Sequence, residues 1–545
     1  MRKISIIAFL VVMAVSHFSC EDYLDRYPLD EISPDSFWKT EQDLQSGLNN
    51  MYQYLNMRAW DEDVRTADCF PSGGNIISSG SLTPNDNESE NIWNLSYQQI
   101  RAVHEFLDYY NRANETEEVK NRYRGEALFF RAYFHYQLLR HFGDVPIVTR
   151  LLNAGDEEVF GTRDPRSEVM DQIIEDLQWA ADNLPARSWI ETNRPNEVGR
   201  ITKGAALTFL SRVALYEGTF EKYHGMSGYD KYLQTAIDAS NEVINSGEYQ
   251  LASNFENLFL PQGEDNEEVI FSYRYSKEID EPSRRPTQTV EVNRFMPTKY
   301  LADAFLCSDG LPIDQSPLFQ GYGSLTSEFE NRDPRMKMTI WEPASDNHPQ
   351  EGESQGEPVL SVSPTGYYFK KAADYNAYQN EVFTDEIKMR YAEVLLNYAE
   401  ATYELNGSIS DADLDKTVNA LRARVGMSVE LTNSFVSANG LSMLNEIRRE
   451  RRVELAAEGL RYDDIIRRKT AEDQLPQAIK GFLFHQDVYP ELVVGTDVQL
   501  DGDGFVIAQS ADVRFFDPDK NYLLPLPSQQ LTLNPNLEDN PNWSN

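Results

Sequence analysis

The sequence predicts a mainly α-helical protein in which paired helices flank a loop-rich middle section. Three observations lead to this prediction. Apolar residues recur at helical spacing before residue 252 and after residue 383, small residues mark close helix contacts, and Pro, Gly, Asn, Asp and Ser are frequent in between. Apolar positions at i, i+3 and i+4 form a stripe that a helix must bury against another element. We therefore expect helix pairs with short strands and loops inserted between them.

The chain begins with the pattern of a bacterial secretion signal. Arg2 and Lys3 precede an apolar run over residues 4–15, and Ser19 leads into Cys20. About a dozen apolar residues are too few to span a bilayer, which takes about 20, so the run is typical of a cleavable signal peptide. We expect residues 1–19 to be removed and Cys20 to be acylated. The alternative is an ordinary secretory signal, because residues 17 and 18 make a loose lipidation motif, with Cys20 as a disulfide cysteine.

Four helices are predicted before the middle section. They cover residues 126–142, 169–184, 202–217 and 229–245. In the first, Leu128, Ala132 and Leu139 fall on one face, and Gly143 ends the helix. The third and fourth carry small residues, which permit close contact, so we expect them to form a pair.

The middle section, residues 252–383, is predicted to be rich in loops with a short strand over residues 268–275. Three further helices follow, over residues 385–405, 411–425 and 441–457. Recurring antiparallel helices are typical of tetratricopeptide-type packing, although the spacing here is irregular. We divide the chain into a signal peptide (1–19), an N-terminal helical region (20–251), a loop-rich ligand-binding region (252–383) and a C-terminal helical region (384–545). Residues 20–545 are expected to form one compact unit.

Charge and cysteine content exclude some classes of function. The formal net charge is -38, which would repel a phosphate backbone, so nucleic-acid binding is excluded. Besides Cys20, the chain has Cys69 and Cys307, and no C-x-x-C motif or Cys/His cluster at zinc-ligand spacing. The two could pair in an oxidising compartment, but cysteines far apart in a large protein are more often buried free thiols.

We assign no catalytic residue, metal ligand or cofactor. The histidines form no H-E-x-x-H pair, and the acidic segments 411–415 and 501–504 lack the glycine and glutamate positions of an EF-hand. With 88 acidic residues, no glycosidase-like carboxylate pair can be singled out. In the segment ERRVELAAEG, Arg451 and Glu454 are expected to form a helix-surface ion ladder worth a few tenths of a kcal/mol per pair.

Eight segments spread along the chain carry a resemblance to a known family. They are CEDYLDRYPLDEISPDSFWKTEQDL (20–44), RAYFHYQLLRHFGDVPIV (131–148), RITKGAALTFLSRVALYEG (200–218), NRDPRMKMTI (331–340), MRYAEVLLNYAEA (389–401), VNALRARVGM (418–427), ERRVELAAEGLRYDDIIRRK (450–469) and PLPSQQLTLNPNLEDNPNW (525–543). In this order they resemble the SusD/RagB family of outer-membrane nutrient-binding lipoproteins. Asp539 and Asn542 depart from the Gln and Gly common in the family's final motif.

The resemblance implies a SusD-like fold, with irregular tetratricopeptide-type helix pairs as the scaffold. It also implies a non-catalytic, surface-exposed lipoprotein of the outer membrane that binds oligosaccharides and passes them to a SusC-like TonB-dependent transporter. An alternative is the same lid-like role for a peptide or another non-glycan nutrient, because a fold does not fix its ligand. An extracellular hydrolase is the hypothesis that the sequence favours least.

Candidate ligand-binding residues are chosen from aromatic and polar side chains in the loop-rich stretches. A sugar can bury its apolar C–H face on an aromatic ring while its hydroxyl groups bind polar partners. On loop placement we choose Trp60, Tyr322 and Trp341, with Asn75 as a polar partner. The resemblance does not settle these choices, because ligand contacts vary within the family. Trp38 and Trp93 begin apolar-periodic runs and are assigned to helix packing.

Overall fold

The computed structural model describes residues 37–55, 62–71, 73–278, 295–344, 356–373 and 383–543. Within these ranges the chain has 17 α-helices and three two-stranded antiparallel sheets, which confirms the mainly α-helical prediction. Cys20 and Trp60 lie outside the described residues. No helix in the described ranges has the length and apolar composition needed to cross a lipid bilayer.

The helices fall into two groups separated by the loop-rich middle section. The first group is α1 (Glu41–Tyr52), α2 (Asn87–Tyr109), α3 (Glu117–Phe142), α4 (Arg166–Asn183), α5 (Arg187–Asn193), α6 (Lys203–Tyr223) and α7 (Tyr229–Ser246). The middle section holds α8 (Lys299–Ala304) and α9 (Arg335–Thr339). The second group is α10 (Tyr391–Asn406), α11 (Asp411–Lys416), α12 (Val418–Arg424), α13 (Asn433–Asn439), α14 (Met443–Glu454), α15 (Arg461–Arg467), α16 (Ala471–Gln474) and α17 (Ser528–Leu533).

The strands are short and join segments that are distant in sequence. They are β1 (Cys69–Pro71), β2 (Val269–Tyr273), β3 (Phe295–Pro297), β4 (Glu386–Arg390), β5 (Ile479–Leu483) and β6 (Phe505–Gln509). β1 pairs with β3, β2 with β4 and β5 with β6, each pair antiparallel. The β2–β4 pair links the two helical groups.

The long helices stack in sequence. α2 packs on α3, α3 on α4, α4 on α6, α6 on α7, α7 on α10 and α10 on α14. The predicted pair of α6 and α7 is confirmed, and its small residues allow the two backbones to approach. At Gly218 of α6 a Cβ atom would lie 2.8 Å from Leu233 Cγ of α7, so a larger side chain would push the helices apart. Each helix therefore buries its apolar stripe against the next, as in a repeat array.

α3 differs from its prediction in length and in burial. It begins at Glu117, where Thr116 caps it, and it ends at Gly143 as expected. Its buried residues run around the whole helix rather than along one face. They include Glu126 and Arg140, whose charges must be paired to be tolerated there. α3 is thus a central helix, covered on several sides by α1, α2 and α4.

Two predicted helices in the second group are interrupted. The segment 385–405 begins as strand β4, because β2 offers it a hydrogen-bonding edge, and only then becomes α10. The segment 411–425 breaks at Thr417, whose ψ of -93° is not helical, into α11 and α12. Local periodicity predicts neither feature, because both depend on tertiary contacts.

The assignment of Trp38 and Trp93 to helix packing is confirmed. Both rings belong to the main hydrophobic core, where Trp38 meets Phe106 edge-on at 5.5 Å and Trp93 meets Phe142 at 5.3 Å between ring centroids. The same core contains Trp543, so it includes residues from both ends of the described chain. Cys69 and Cys307 are buried free thiols in the structure, and the pairing that the sequence left open is not formed.

The predicted surface ladder in ERRVELAAEG is wrong, because Glu454 is fully buried. Its carboxylate accepts hydrogen bonds from Arg390 Nη1 at 2.7 Å, Arg424 Nη2 at 2.7 Å and Arg335 Nη1 at 3.0 Å. Burial by itself would raise the pKa of Glu454, but the three guanidinium groups outweigh burial and hold the pKa well below its usual range. We call Glu454 and these three arginines the glutamate hub.

A second buried charge cluster surrounds Glu400 of α10. Arg467 Nη2 and Arg468 Nη2 each lie 2.7 Å from Glu400 Oε2. Arg451, the other half of the predicted ladder, donates instead to Asp464 at 3.0 Å and to Asn397 at 2.7 Å. Charges that the sequence presents as an exposed helix face thus join α10, α14 and α15 inside the protein.

We expect Glu454→Gln to destabilise the protein strongly. The substitution keeps the size of the side chain but leaves three buried guanidinium groups without their shared charge. Removing one partner of a buried ion cluster costs about 3 to 5 kcal/mol in the free energy of unfolding. Urea unfolding of the purified protein measures this change.

Glu158→Gln is the matched control. Glu158 also binds an arginine, Arg150 at 2.7 Å, but on the exposed surface. We expect this variant to unfold at the wild-type urea concentration, because exposed ion pairs contribute little. Equal unfolding midpoints for the two variants would contradict the role assigned to the glutamate hub.

Candidate functional site

An open cleft of about 430 Å³ lies within the size range of small-ligand sites. Three segments build it: α1 with the turn that follows it, residues 196–200, and the end of β2. The lining side chains are Gln45, Asn49, Tyr52, Gln53, Asn196, Glu197, Val198, Arg200, Phe271, Ser272, Tyr273 and Arg274, with Gly199. Because side-chain amides predominate among its neutral polar groups, we call it the amide cleft.

The helical period of α1 supplies one wall of the amide cleft. Thr40 and Asp43 form a capping box that begins the helix. Leu44, Leu48 and Met51 are buried in the core, and Gln45, Asn49 and Gln53 recur every fourth residue beside them. Side chains four apart lie on the same face of a helix, so the three amides form one row.

The floor of the cleft is fixed by a buried glutamate. Glu126 of α3 accepts hydrogen bonds from Arg200 Nε at 3.1 Å and Nη2 at 2.6 Å, and from the Tyr52 hydroxyl at 2.7 Å. Arg200 also donates through Nη1 to Asn49 Oδ1 at 2.7 Å. Burial, followed by the charge of Glu126, raises the pKa of Tyr52 well above its usual range, so its hydroxyl keeps its proton. Floor and wall are therefore held in one arrangement.

Arg274 forms the opposite rim and is held in the same way. Its Nη1 and Nη2 each lie 3.1 Å from a carboxylate oxygen of Asp265, and its Nε lies 3.4 Å from Asp385. The side chain runs over Gly199, whose φ of +102° suits glycine. A Cβ atom at residue 199 would lie 2.6 Å from Arg274 Cδ. Glycine at this position is thus what allows Arg274 to lie flat along the rim.

Aromatic groups complete the lining. Phe271 is buried, while Tyr273 is half-buried beside Tyr275, with 5.1 Å between their ring centroids. A cleft that combines aromatic rings with amide donors and acceptors can bind a ligand that has both apolar C–H faces and hydroxyl groups.

Three of the predicted ligand residues, Asn75, Tyr322 and Trp341, are not part of the lining of the amide cleft. The Asn75 side chain accepts from the backbone N–H groups of Ile77 and Ser78, at 2.9 and 3.0 Å, and so stabilises its own turn. Trp341 is only 6% exposed, so a ligand could touch little of its ring. Neither residue, nor Tyr322, lines the cleft.

Tyr322 belongs to a separate polar and aromatic group. Its hydroxyl accepts from Lys299 Nζ at 2.7 Å and donates to Asp303 at 3.3 Å. Its ring meets Phe505 edge-on at 5.0 Å. We call Tyr322, Lys299, Asp303 and Phe505 the tyrosine group. The roles of Trp60, Asn75, Tyr322 and Trp341 in ligand binding stay predictions.

Sequence reasoning missed the amide cleft because its three segments lie far apart in the chain. The signal that could have indicated one wall is the four-residue spacing of Gln45, Asn49 and Gln53 within the apolar-periodic run that Trp38 begins. In the ranges that the structure describes, no group of three or more His, Cys, Asp or Glu side chains is arranged to hold a metal ion.

Two family models match the chain, one in each part. A model described as the SusD family matches residues 251–543, and a model described as starch-binding associating with outer membrane matches residues 22–215. Among curated relatives, SusD-like protein P2 of Formosa agariphila is 25% identical, with 97% of this chain and 98% of the relative covered.

Solved structures agree with this fold. A SusD-like carbohydrate binding protein from Bacteroides fragilis superimposes with a TM-score of 0.78 at 26% identity, covering 92% of this chain and 100% of that one. A laminarin binding SusD-like protein superimposes with a TM-score of 0.61 at 20% identity, covering 92% and 100%. At that identity the second match supports the fold alone.

A buried carboxyl group close to the tyrosine group gives a pH prediction. Glu328 accepts hydrogen bonds from the Tyr367 hydroxyl at 3.1 and 2.9 Å. Burial, with a smaller effect from Asp303, raises the pKa of Glu328 from 4.5 to about 7, against the opposing effect of the Tyr367 hydrogen bond and of nearby Lys299 and Arg332. The stability that comes from the neutral acid is complete below pH 4.5 and is lost as the pH rises through 7.

We expect Glu328→Gln to remove this loss, because an amide at the same place cannot ionise. Between about pH 5 and 8, wild type should lose on the order of 3 kcal/mol of unfolding free energy relative to the variant. Urea unfolding across this range measures the difference. The exposed neighbour Glu330, changed to Gln, serves as the control. Parallel pH curves for wild type and Glu328→Gln would contradict the assignment.

Proposed function

Because the chain belongs to the SusD family, we propose that it is a cell-surface lipoprotein that binds oligosaccharides and passes them unaltered to a SusC-like TonB-dependent transporter. The observation that carries this proposal is the amide cleft, whose row of amides and adjoining aromatic rings suits the two faces of a sugar. The match to a model described as starch-binding supports the ligand class. The B. fragilis carbohydrate binding protein supports it as well.

Binding without catalysis agrees with the carboxylates around the cleft. Glu126 and Glu197 bind Arg200 and Arg122, and Asp265 and Asp385 both bind Arg274. A glycosidase needs one carboxyl group to donate a proton and another to act as a base or nucleophile. Here the carboxylates serve to hold guanidinium groups in place, which orders the cleft without preparing it for proton transfer.

Weak binding of the oligosaccharide is sufficient if the protein is held beside the transporter. A lipoprotein that sits beside a pore keeps the released oligosaccharide at a high local concentration there, so modest affinity is sufficient. We propose that acylation of Cys20 fixes the protein at the outer membrane and that the helical scaffold contacts the transporter. The model name "associating with outer membrane" supports the location.

Titration calorimetry of the purified protein against a panel of neutral oligosaccharides tests the binding site. We expect Asn49→Ala to weaken binding by about 2- to 10-fold, the usual effect of losing one hydrogen-bonding partner. Gln234→Ala, which removes an amide from the exposed surface of α7, is the matched control and should bind like wild type.

The same calorimetry on a Tyr322→Ala variant tests whether the ligand binds in the amide cleft or at a residue predicted from the sequence. Loss of binding in this variant, with Asn49→Ala unaffected, would move the site to the tyrosine group. Failure of wild type to bind any glycan, with peptides recovered from the purified transporter complex, would replace the glycan proposal with the peptide alternative.

Metabolic labelling with a radioactive fatty acid tests the anchor. We expect the wild-type chain to incorporate label and to remain in the outer-membrane fraction. Cys20→Ala removes the acceptor thiol and should abolish labelling and release the protein from that fraction. Cys69→Ala controls for the loss of a thiol elsewhere and should leave labelling unchanged. Labelling that persists in Cys20→Ala would refute the lipid anchor at this residue.

A further inference from the structure

We propose that the amide cleft selects neutral glycans and rejects glycans that carry carboxylate or sulfate groups, an inference that rests on the proposed function and names its substrate class. The reason is that each arginine of the cleft is already neutralised by carboxylates of the protein. A lining that contains Arg200 and Arg274 suggests an anion site when only the residue types are considered, but the contacts of both side chains indicate the opposite.

Arg200 has its charge opposed inside the protein. Two of its nitrogen atoms bind Glu126, whose side chain is fully buried, and the third binds the Asn49 amide oxygen. Because the Glu126 carboxylate is removed from water, it is screened little and its attraction for Arg200 is strong. A ligand anion would have to compete with a partner that cannot leave.

Arg274 has its charge opposed at the rim. Asp265 binds both terminal nitrogens, in the paired geometry that favours a carboxylate, and Asp385 lies 3.4 Å from the remaining nitrogen. A uronate or sulfate group of a ligand would need the same donors. It would also approach the two carboxylates that hold them, which adds repulsion.

The balance of charges around the cleft also disfavours an anionic ligand. Four carboxylates, Glu126, Glu197, Asp265 and Asp385, face three guanidinium groups, those of Arg122, Arg200 and Arg274. The formal net charge of -38 on the whole chain adds long-range repulsion of polyanions.

The remaining polar groups of the lining are suited to hydroxyl groups. The amides of Gln45, Asn49, Gln53 and Asn196 each contain both a donor and an acceptor. A hydroxyl group also donates and accepts, so it can use either half of an amide. A sulfate or carboxylate group only accepts, so it can use the amide nitrogens alone; Asn49 Oδ1 and Gln45 Oε1 already accept from Arg200 and Gln42.

Asp265 offers a substitution that changes charge alone. Its φ of +56° is in the left-handed region, which asparagine also adopts readily. Its backbone oxygen, which accepts from Arg187 at 2.8 Å, is unaffected by a change of side chain. Asp265→Asn therefore removes one of the two carboxylates that bind Arg274 while keeping the local backbone.

The test compares matched neutral and anionic glycans by calorimetry at low salt. The pairs are laminarin with sulfated laminarin, dextran with dextran sulfate, and dextran with carboxymethyl dextran. Wild type should bind the neutral member of at least one pair about tenfold or more tightly than its anionic partner, and this affinity should not fall with added salt. Asp265→Asn should raise the ratio of its affinity for that anionic partner to its affinity for the neutral glycan about fivefold, and added salt should abolish this gain.

Asp156→Asn is the matched control, because Asp156 also pairs with an arginine, Arg150 at 2.8 Å, on the surface away from the cleft lining. It makes the same change in net charge and should not improve anion binding. Tighter binding of the anionic glycans by wild type, or an equal gain in both variants, would overturn the inference and leave glycan binding intact. A wild type that binds neither member of any pair would overturn the inference together with the proposed function.

Discussion

The junction between the middle section and the second helical group depends on the glutamate hub. Glu454 at the end of α14 gathers arginines from α9, β4 and α12, and Arg390 also binds Glu268, the residue before β2, at 2.7 Å. Buried charges cost free energy unless they are fully paired, so these elements cannot separate or shift register without leaving a charge uncompensated. The hub therefore fixes where β2 begins, and the other end of β2 forms a wall of the amide cleft.

The floor of the amide cleft repeats this pairing of buried charges, and the rim of the cleft carries a more exposed ion pair. Glu126 holds Arg200, and Asp265 holds Arg274, so polar side chains are set in position before a ligand arrives. Preorganised side chains lose less conformational entropy on binding, which favours affinity in a shallow site. The same pairing removes the positive charge that would otherwise attract anions. Structural order and ligand selection in this protein thus have one electrostatic origin.

Much of the scaffold could be predicted from sequence, whereas most of the candidate site could not. The periodicity of residues 202–217 and 229–245 predicts α6 and α7, and Trp38 and Trp93 fall in the core as expected. The cleft escaped prediction because residues 45–53, 196–200 and 271–274 meet only after the helices have stacked. The chosen loop residues Asn75 and Trp341 are occupied by a turn and by the core, respectively, which their loop composition did not indicate.

The sequence by itself determined the family, the helical class and the positions of the long helices, because helix formation and apolar periodicity are properties of short segments. Only the tertiary structure decided which charges are buried. Arg451 and Glu454 look like neighbours on an exposed helix, yet they bind Asp464 and Arg390, and the start of a predicted helix becomes β4 because β2 lies beside it. Charge pairing and strand pairing join residues that are distant in the chain, so they are settled by packing rather than by local sequence.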